Sequence, residues 1–290
     1  MTKPSYRLQT LQDLAQRYRG IVLDLFGTVH DGIEPFPGAL DALHHLREND
    51  IRVCLLSNSP RRRFDVAARL VDMGIDAPLY RGLVTSGELV FEDLSSSSTP
   101  LSGGRHFYVG PADLARLLDG SYCTRTERLA EADFLLCTGM PDDPNDLALV
   151  LDDARAMDLV MVCANPDRQV IVGGTRIDCA GIIAESYEAI GGRVLPYGKP
   201  DGRAYRRALS ILGLPKEAVL AIGDALETDI SGAKRAGLDA ALVLTGIHRE
   251  ELVDARTGHL IRHKLDRLCR DELLAADFVL HAFSHEKKVR

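Results

Sequence analysis

The feature that most constrains this chain is a succession of short, nearly uninterrupted apolar runs, separated by stretches of helical periodicity. The clearest runs lie at 21–26 (IVLDLF), 52–57 (RVCLLS), 133–139 (DFLLCTG), 159–165 (LVMVCAN), 219–223 (VLAIG) and 241–245 (ALVLT), with others at 106–110, 194–198 and 278–283. A strand that is apolar at every position, rather than at every second one, is covered on both faces. The intervening stretches at roughly 6–18, 38–49, 60–73, 86–94, 111–119, 145–157, 180–191, 201–213, 228–236 and 263–275 read as helices. Leu40, Leu43 and Leu46 show the apolar spacing in one of them. Strands alternating with helices predict an α/β fold with a doubly wound, Rossmann-like parallel sheet.

One spacing breaks the pattern. The runs ending near Ser57 and Lys199 stand 142 positions apart, whereas a simple crossover between neighbouring parallel strands needs only about 30 residues. The intervening segment has strands and helices of its own. The expectation is a second unit, 84–187, inserted into a first unit made of 1–82 and 188–290; a chain of 290 residues is long enough for both. Within the insertion, Gly173-Gly174 between two β-rich runs predicts a hairpin over 170–177, and the serine run at 95–98 a surface loop.

A net charge of −7 argues against nucleic acid or an anionic membrane surface as the main partner. None of the six cysteines lies in a C-x-x-C pair, and Cys54, Cys137 and Cys163 sit inside apolar runs, so buried reduced thiols are expected. The opening MTKPSYRLQT has no apolar stretch and no run reaches membrane-spanning length, so a cytoplasmic protein is expected. The sequence leaves a homo-oligomer open.

In open parallel sheets, ligands bind beyond the carboxyl ends of the strands. Four apolar runs carry chemically useful residues near or just beyond that end: Asp24, then Ser57 and Asn58, then Lys199, then Asp224 with Asp229 five residues on. Each has an ordinary reading, as a turn residue, a helix cap, a solvated lysine or a helix-N-terminal charge. Four in order are harder to assign to chance, and the types suit phosphoryl transfer. A carboxylate can attack phosphorus. Clustered carboxylates bind Mg²⁺ through hard oxygens. A hydroxyl and an ammonium can hold the remaining phosphate oxygens.

The runs DLFGT at 24–28, LLSNS at 55–59, YGKP at 197–200 and GDALETD at 223–229 resemble, in order and spacing, the four motifs of the haloacid dehalogenase-like hydrolase superfamily. The long insertion resembles its class II cap. TSGE at 85–88, CANPD at 163–167 and LVLTG at 242–246 resemble the NagD-like, class IIA branch of sugar- and nucleotide-phosphate phosphatases. The resemblance implies an α/β hydrolase core with an inserted cap and Mg²⁺ as cofactor. Asp24 would be nucleophile and metal ligand, the backbone carbonyl of Phe26 a second ligand, and Asp224 a third, with Asp229 supporting the metal directly or through water. Ser57 would hold the phosphoryl group with help from Asn58, and Lys199 would neutralise charge. Asn165 and Asp167 of the cap loop would read the leaving group of a small phosphorylated substrate.

The chain departs from the family at one place. Family phosphatases carry a second Asp two residues after the nucleophile, which protonates the leaving oxygen and later activates water; here that residue is Phe26. General acid–base catalysis contributes about 10²–10⁴-fold. Turnover is therefore expected to be slow, confined to good leaving groups, or served by another residue, of which His30 and Asp31 are nearest in sequence. Loss of that Asp also fits a dehalogenase or a phosphometabolite-binding regulatory module. Phosphonatase chemistry needs a cap lysine, and 84–187 contains none.

Overall fold

The computed structural model describes residues 6–97, 99–269 and 271–285. Among these, seven strands build one parallel sheet: β1 (Arg7–Leu8), β2 (Gly20–Leu23), β3 (Arg52–Ser57), β4 (Gly82–Thr85), β12 (Val219–Gly223), β13 (Asp239–Val243) and β14 (Phe278–Leu280). Their order is β1-β14-β13-β12-β2-β3-β4. Alternate side chains serve opposite faces, as strand geometry requires. Ile21 and Leu23 of β2, with Val53 and Leu55 of β3, join a cluster with Leu43 and Leu46 of the helix Ala39–Glu48. Val22, Cys54 and Leu56 join a second cluster with Ala204, Ala208 and Leu212 of the helix Gly202–Leu212. Burial on both faces explains the unbroken apolar runs.

A second parallel sheet is made of β5 (Arg105–Val109), β6 (Thr124–Thr126), β7 (Phe134–Cys137), β8 (Val160–Cys163) and β11 (Arg193–Pro196), in the order β11-β8-β7-β5-β6. One face packs on the helices Leu147–Ala156 and Ala180–Ala189 through Leu151, Ala154, Ile183 and Tyr187. The other packs on the helix Ser86–Leu94 through Val90 and Leu94. The hairpin expected over 170–177 forms from β9 (Gln169–Val172) and β10 (Thr175–Asp178). Gly173 and Gly174 turn it at φ 54° and 82°, where a side chain would be strained.

Four sequence readings need correction. The strand beginning at Gly82 pairs with β3 through Thr85, so the first sheet runs past residue 84, where the insertion was expected to begin. The run at 194–198, read as part of the first unit, is β11 and pairs with Val160–Cys163 in the second sheet. Edge pairing decides both, and edge pairing is a long-range property. The expected helix at 111–119 is only the 3₁₀ turn Ala112–Leu114, bounded by Pro111 and followed by turns to Gly120, although Leu117 and Leu118 are buried. The stretch 6–18 opens as strand β1. Its helix begins only at Leu11, where Thr10 and Asp13 form a reciprocal capping box. Of the expected loop at 95–98, Ser98 lies outside the described residues, as do residues 1–5 of the apolar-poor start. All six cysteines are free and buried.

Candidate active site

At the centre of the first sheet, β2 and β12 lie side by side, and the chain leaves them in opposite directions. β2 leads to β3 and β4, whereas β12 leads to β13 and β14. Such a split opens a crevice at the carboxyl ends of the strands. Asp24 follows β2 and Asp224 follows β12 across it. Asp229 belongs to the wide π turn Leu226–Ile230 that leads from β12 into the next helix. One oxygen from each of Asp24, Asp224 and Asp229 can be chosen so that all lie within 4.8 Å of one another, and all three residues are buried.

Lys199 reaches the same point from outside the sheet. Its Nζ donates to Asp24 Oδ1 at 2.5 Å and to Asp229 Oδ1 at 2.7 Å. Sequence reading placed it at the end of a core strand and left open a solvated lysine; it is instead 3% exposed, on the segment returning from the second sheet. Burial alone would lower its pKa, but Asp229, Asp24 and Asp167 outweigh that and hold it well above the ordinary value. The carboxylates shift the other way. Burial raises Asp24, against the pull of Lys199. Burial, with Asp24 and Asp229 as like charges, raises Asp224 well above its ordinary value. Burial also raises Asp229, against Lys199.

The hydrogen bonds leave a definite gap. Asp224 Oδ2 accepts from Ile247 N–H at 2.7 Å, and Asp229 Oδ2 from Ala225 N–H at 3.2 Å. Asp24 Oδ2 is buried without a partner. The Thr28 hydroxyl lies near enough to favour its charge, yet falls outside hydrogen-bond geometry and is itself unpaired. A buried, unpartnered carboxylate oxygen is costly unless something binds it. Three carboxylates against one ammonium, presenting hard oxygen donors, suit a divalent cation such as Mg²⁺.

Asn58 ties the pieces together. Its Oδ1 accepts from Lys199 N–H at 2.7 Å, and its Nδ2 donates to the Lys199 carbonyl at 3.1 Å and to Asp167 Oδ1 at 2.8 Å. One amide thus joins the end of β3, the lysine segment and the loop after β8. Sequence reading expected Asn58 to help hold the phosphoryl group and missed this bridge made by its side chain. Ser57, 2% exposed, accepts from Ser59 N–H at 3.1 Å through Oγ. Asn165 Oδ1 accepts from Asp167 N–H at 3.2 Å and shapes that loop. Two glycines were also missed. A Cβ on Gly27, which has φ 78°, would stand 2.2 Å from Asp224 Oδ2, and one on Gly246 only 1.8 Å from it. Gly246 stands in the 242–246 run already singled out, but its contact with Asp224 could not be read from the chain.

These groups line one cavity of about 910 Å³. Asp24, Ser57 and Asp224 come from the first sheet's side, while Pro111, Thr138, Asn165, Asp167 and Lys199 follow β5, β7, β8 and β11. Both sheets therefore deliver carboxyl ends of strands to the same space.

Phe26 lines the cavity and is half-buried, its ring edge-on to His30 at a centroid distance of 4.6 Å. The two residues suggested by sequence as substitute acids are committed elsewhere. His30 is 3% exposed and accepts Gly32 N–H on Nδ1 at 3.0 Å; burial lowers its pKa to about 4, so it is neutral near pH 7. Asp31 Oδ1 accepts from Ile33 and Glu34 N–H, both at 2.9 Å, and the bond from Glu34 leads in lowering its pKa. Neither residue lines the cavity.

Comparison with known proteins gives the same answer from each direction. A family model described as haloacid dehalogenase-like hydrolase matches residues 21–122, and one described as HAD-hydrolase-like matches 196–268. The D-glycerol 3-phosphate phosphatase of Mycobacterium tuberculosis is 30% identical over 273 residues, covering 92% of this chain and 75% of its own. The ribonucleotide monophosphatase NagD of Escherichia coli is 26% identical over 248 residues, covering 82% and 92%. The crystal structure of a haloacid dehalogenase-like family hydrolase from Brucella suis superposes with a TM-score of 0.79 at 33% identity, covering 94% and 98%.

Proposed function

This chain belongs to the haloacid dehalogenase-like hydrolases, in their class IIA, NagD-like branch, and from that premise we propose that it hydrolyses a small phosphomonoester through an aspartyl phosphate on Asp24. The observation that carries the reading is the state of that carboxylate. Lys199 neutralises Oδ1, while Oδ2 is buried and unpartnered beside two further carboxylates. A sugar or nucleotide phosphate is the substrate class that relatives such as the sugar-phosphatase AraL of Bacillus subtilis and NagD suggest, and a cavity of about 910 Å³ has room for a leaving group well beyond the phosphate.

Mg²⁺ fits the donor set, with Asp24, Asp224 and the Phe26 carbonyl as its ligands. Asp229 accepts from Lys199 on Oδ1 and from Ala225 on Oδ2, so it fixes Lys199 and the opening of its own turn, and it would support the cation directly or through water. When bound, the cation offsets repulsion between the carboxylate and the anionic phosphate. The chain's own residues do the rest. Asp24 attacks phosphorus in line. Lys199 stays charged and neutralises both nucleophile and phosphate. Ser57 and the backbone at Asn58 hold the phosphate oxygens. Residues of about 86–196 act as a cap, and their loop at Asn165 and Asp167 covers the leaving group and excludes water.

A metabolite screen with and without Mg²⁺ tests the reading, with Asp24→Asn as the control. The hydrolase requires turnover that disappears in Asp24→Asn and in EDTA. Metabolite binding with no turnover by the unaltered protein would leave a regulatory binding module. Phosphate release undiminished by EDTA would remove Mg²⁺ from the reading, and halide release from a haloacid in EDTA, with no phosphate release, would favour the dehalogenase.

A further inference from the structure

We propose that Asp167, carried by the cap loop, is the general acid and base that position 26 cannot supply. The proposal rests on the hydrolase reading. In-line displacement sends the leaving oxygen to the side of phosphorus away from Asp24. That oxygen faces the loops of the second sheet, and Asp167 is the carboxylic acid those loops bring to the core motifs. Its Oδ1 lies 2.8 Å from Asn58 Nδ2, one residue from Ser57. Its backbone is fixed on both sides: its N–H donates to Asn165 Oδ1, and its carbonyl accepts from Gly181 N–H at 3.1 Å. Gly181 must be glycine there, because a Cβ would stand 2.5 Å from the Asp167 carbonyl oxygen.

The other acids along the cavity are engaged. Asp178 Oδ1 accepts from Gln169 Nε2 at 2.7 Å, and Glu185 pairs with Arg168 at 3.2 Å. His248 Nε2 lies 3.5 Å from Glu227 Oε2 and 3.3 Å from Leu226 N. Asp167 is half-buried, and burial raises its pKa against the pull of Lys199 and Asn58, with Asp229 adding to the rise. An arriving phosphate adds negative charge and favours the protonated form further.

The step balances. An Asp24 oxygen forms a bond to phosphorus as the bond from phosphorus to the leaving oxygen breaks, and that oxygen takes the Asp167 proton. Asp167, now a carboxylate, accepts a proton from water as the water oxygen bonds to phosphorus and the Asp24–phosphorus bond breaks. Phosphate leaves, and both residues return to their starting states.

The test compares Asp167→Asn with the unaltered protein on p-nitrophenyl phosphate, whose leaving group needs no proton, and on a primary alkyl phosphate, whose leaving group does. Both are run at saturating Mg²⁺, with vanadate affinity and melting temperature measured in parallel. The alkyl ester should lose about 10²–10⁴-fold in kcat/KM and the aryl ester less than about tenfold. Vanadate affinity should change little, and Asp167→Glu should recover part of the alkyl rate. Equal losses on the two esters would mean that Asp167 only latches the cap, which overturns the proposal and leaves the hydrolase standing. So would an unchanged alkyl rate, or an unaltered protein that cleaves only the aryl ester. A protein that cleaves neither ester overturns the hydrolase reading and this proposal with it. Should Asp167→Asn not fold, Asp167→Ser is read in the same way.

Discussion

Lys199 Nζ stands 2.5 Å from Asp24 Oδ1, and both residues are buried. The ammonium is held from the other side by Asp229 Oδ1 at 2.7 Å, and its backbone by Asn58. A side chain so placed is part of the structure as well as of the chemistry.

Lys199→Met should therefore do two things. Turnover should fall by about 10²-fold or more, because a fixed counter-charge beside the phosphate is lost. The metal-free protein should also lose stability, on the order of 3–5 kcal/mol, because the variant leaves buried carboxylates without their cation. A flexible loop lysine would predict the first effect without the second. Turnover and denaturant midpoints, each with and without Mg²⁺, separate the two cases.

Asp224→Ala should show the reverse pattern. Burial and two neighbouring carboxylates already disfavour its charge, so its removal relieves repulsion. The metal-free variant should melt no lower than the unaltered protein, while the rise in melting temperature on adding Mg²⁺ disappears. For a site that binds Mg²⁺ only when folded, that rise corresponds to about 2.7 kcal/mol at a hundred times the dissociation constant. A full Mg²⁺ shift in the variant would remove Asp224 from the ligand set.

Gly246→Ala should reach the same site without touching a charge. The new methyl group would fall 1.8 Å from Asp224 Oδ2, so the carboxylate or its loop must move. Mg²⁺ affinity, measured by titration calorimetry, should fall by about tenfold or more. Unchanged affinity would show that the loop gives way without moving Asp224.

Phe26→Asp should gain little. The ring packs against His30 and beside Gly32, whose Cβ would stand 2.8 Å from Phe26 Cε1, so a carboxyl there costs about 1–3 kcal/mol. With Asp167 supplying the proton, the alkyl phosphate rate should rise by less than about tenfold. A larger rise in a stably folded variant would show that the proton is missing in the unaltered protein.

His106 gives the cap an acid limit. It is 3% exposed, neither ring nitrogen has a hydrogen-bond partner among the described residues, and burial lowers its pKa from 6.5 to about 4. Between those values the unfolded chain binds the proton and the folded one does not. Stability is therefore fully present above about pH 6.5 and declines as pH falls towards 4. His106→Leu should flatten the dependence of the melting temperature on pH in that window. His30, lowered to about 4 for the same reason, should keep some slope.

Much of the site is legible in the order of residues along the chain. Asp24, Ser57 and Asp224 stand near the ends of apolar runs, and a strand fixes its own end within a residue or two. The hairpin at Gly173-Gly174 is legible for a similar reason, because its turn needs two residues with positive φ. The run at 111–119 misleads, since Leu117 and Leu118 are buried as helical spacing suggests, but no regular helix carries them.

By itself the sequence determined the parallel, two-faced sheet, the presence of an insertion and the acids at the strand ends, because each depends on the residues beside it in the chain. Tertiary structure alone decided that Arg193–Pro196 closes the edge of the second sheet, because any free edge of parallel strands can accept such a run and only distant pairing selects one. It alone decided that Lys199 is buried between Asp24 and Asp229, that the Asn58 amide bonds to Asp167 from more than a hundred residues away, and that Gly246 makes room for Asp224. Those contacts join segments that the chain holds far apart. Their energies depend on distance and burial, which no local pattern of residue types records.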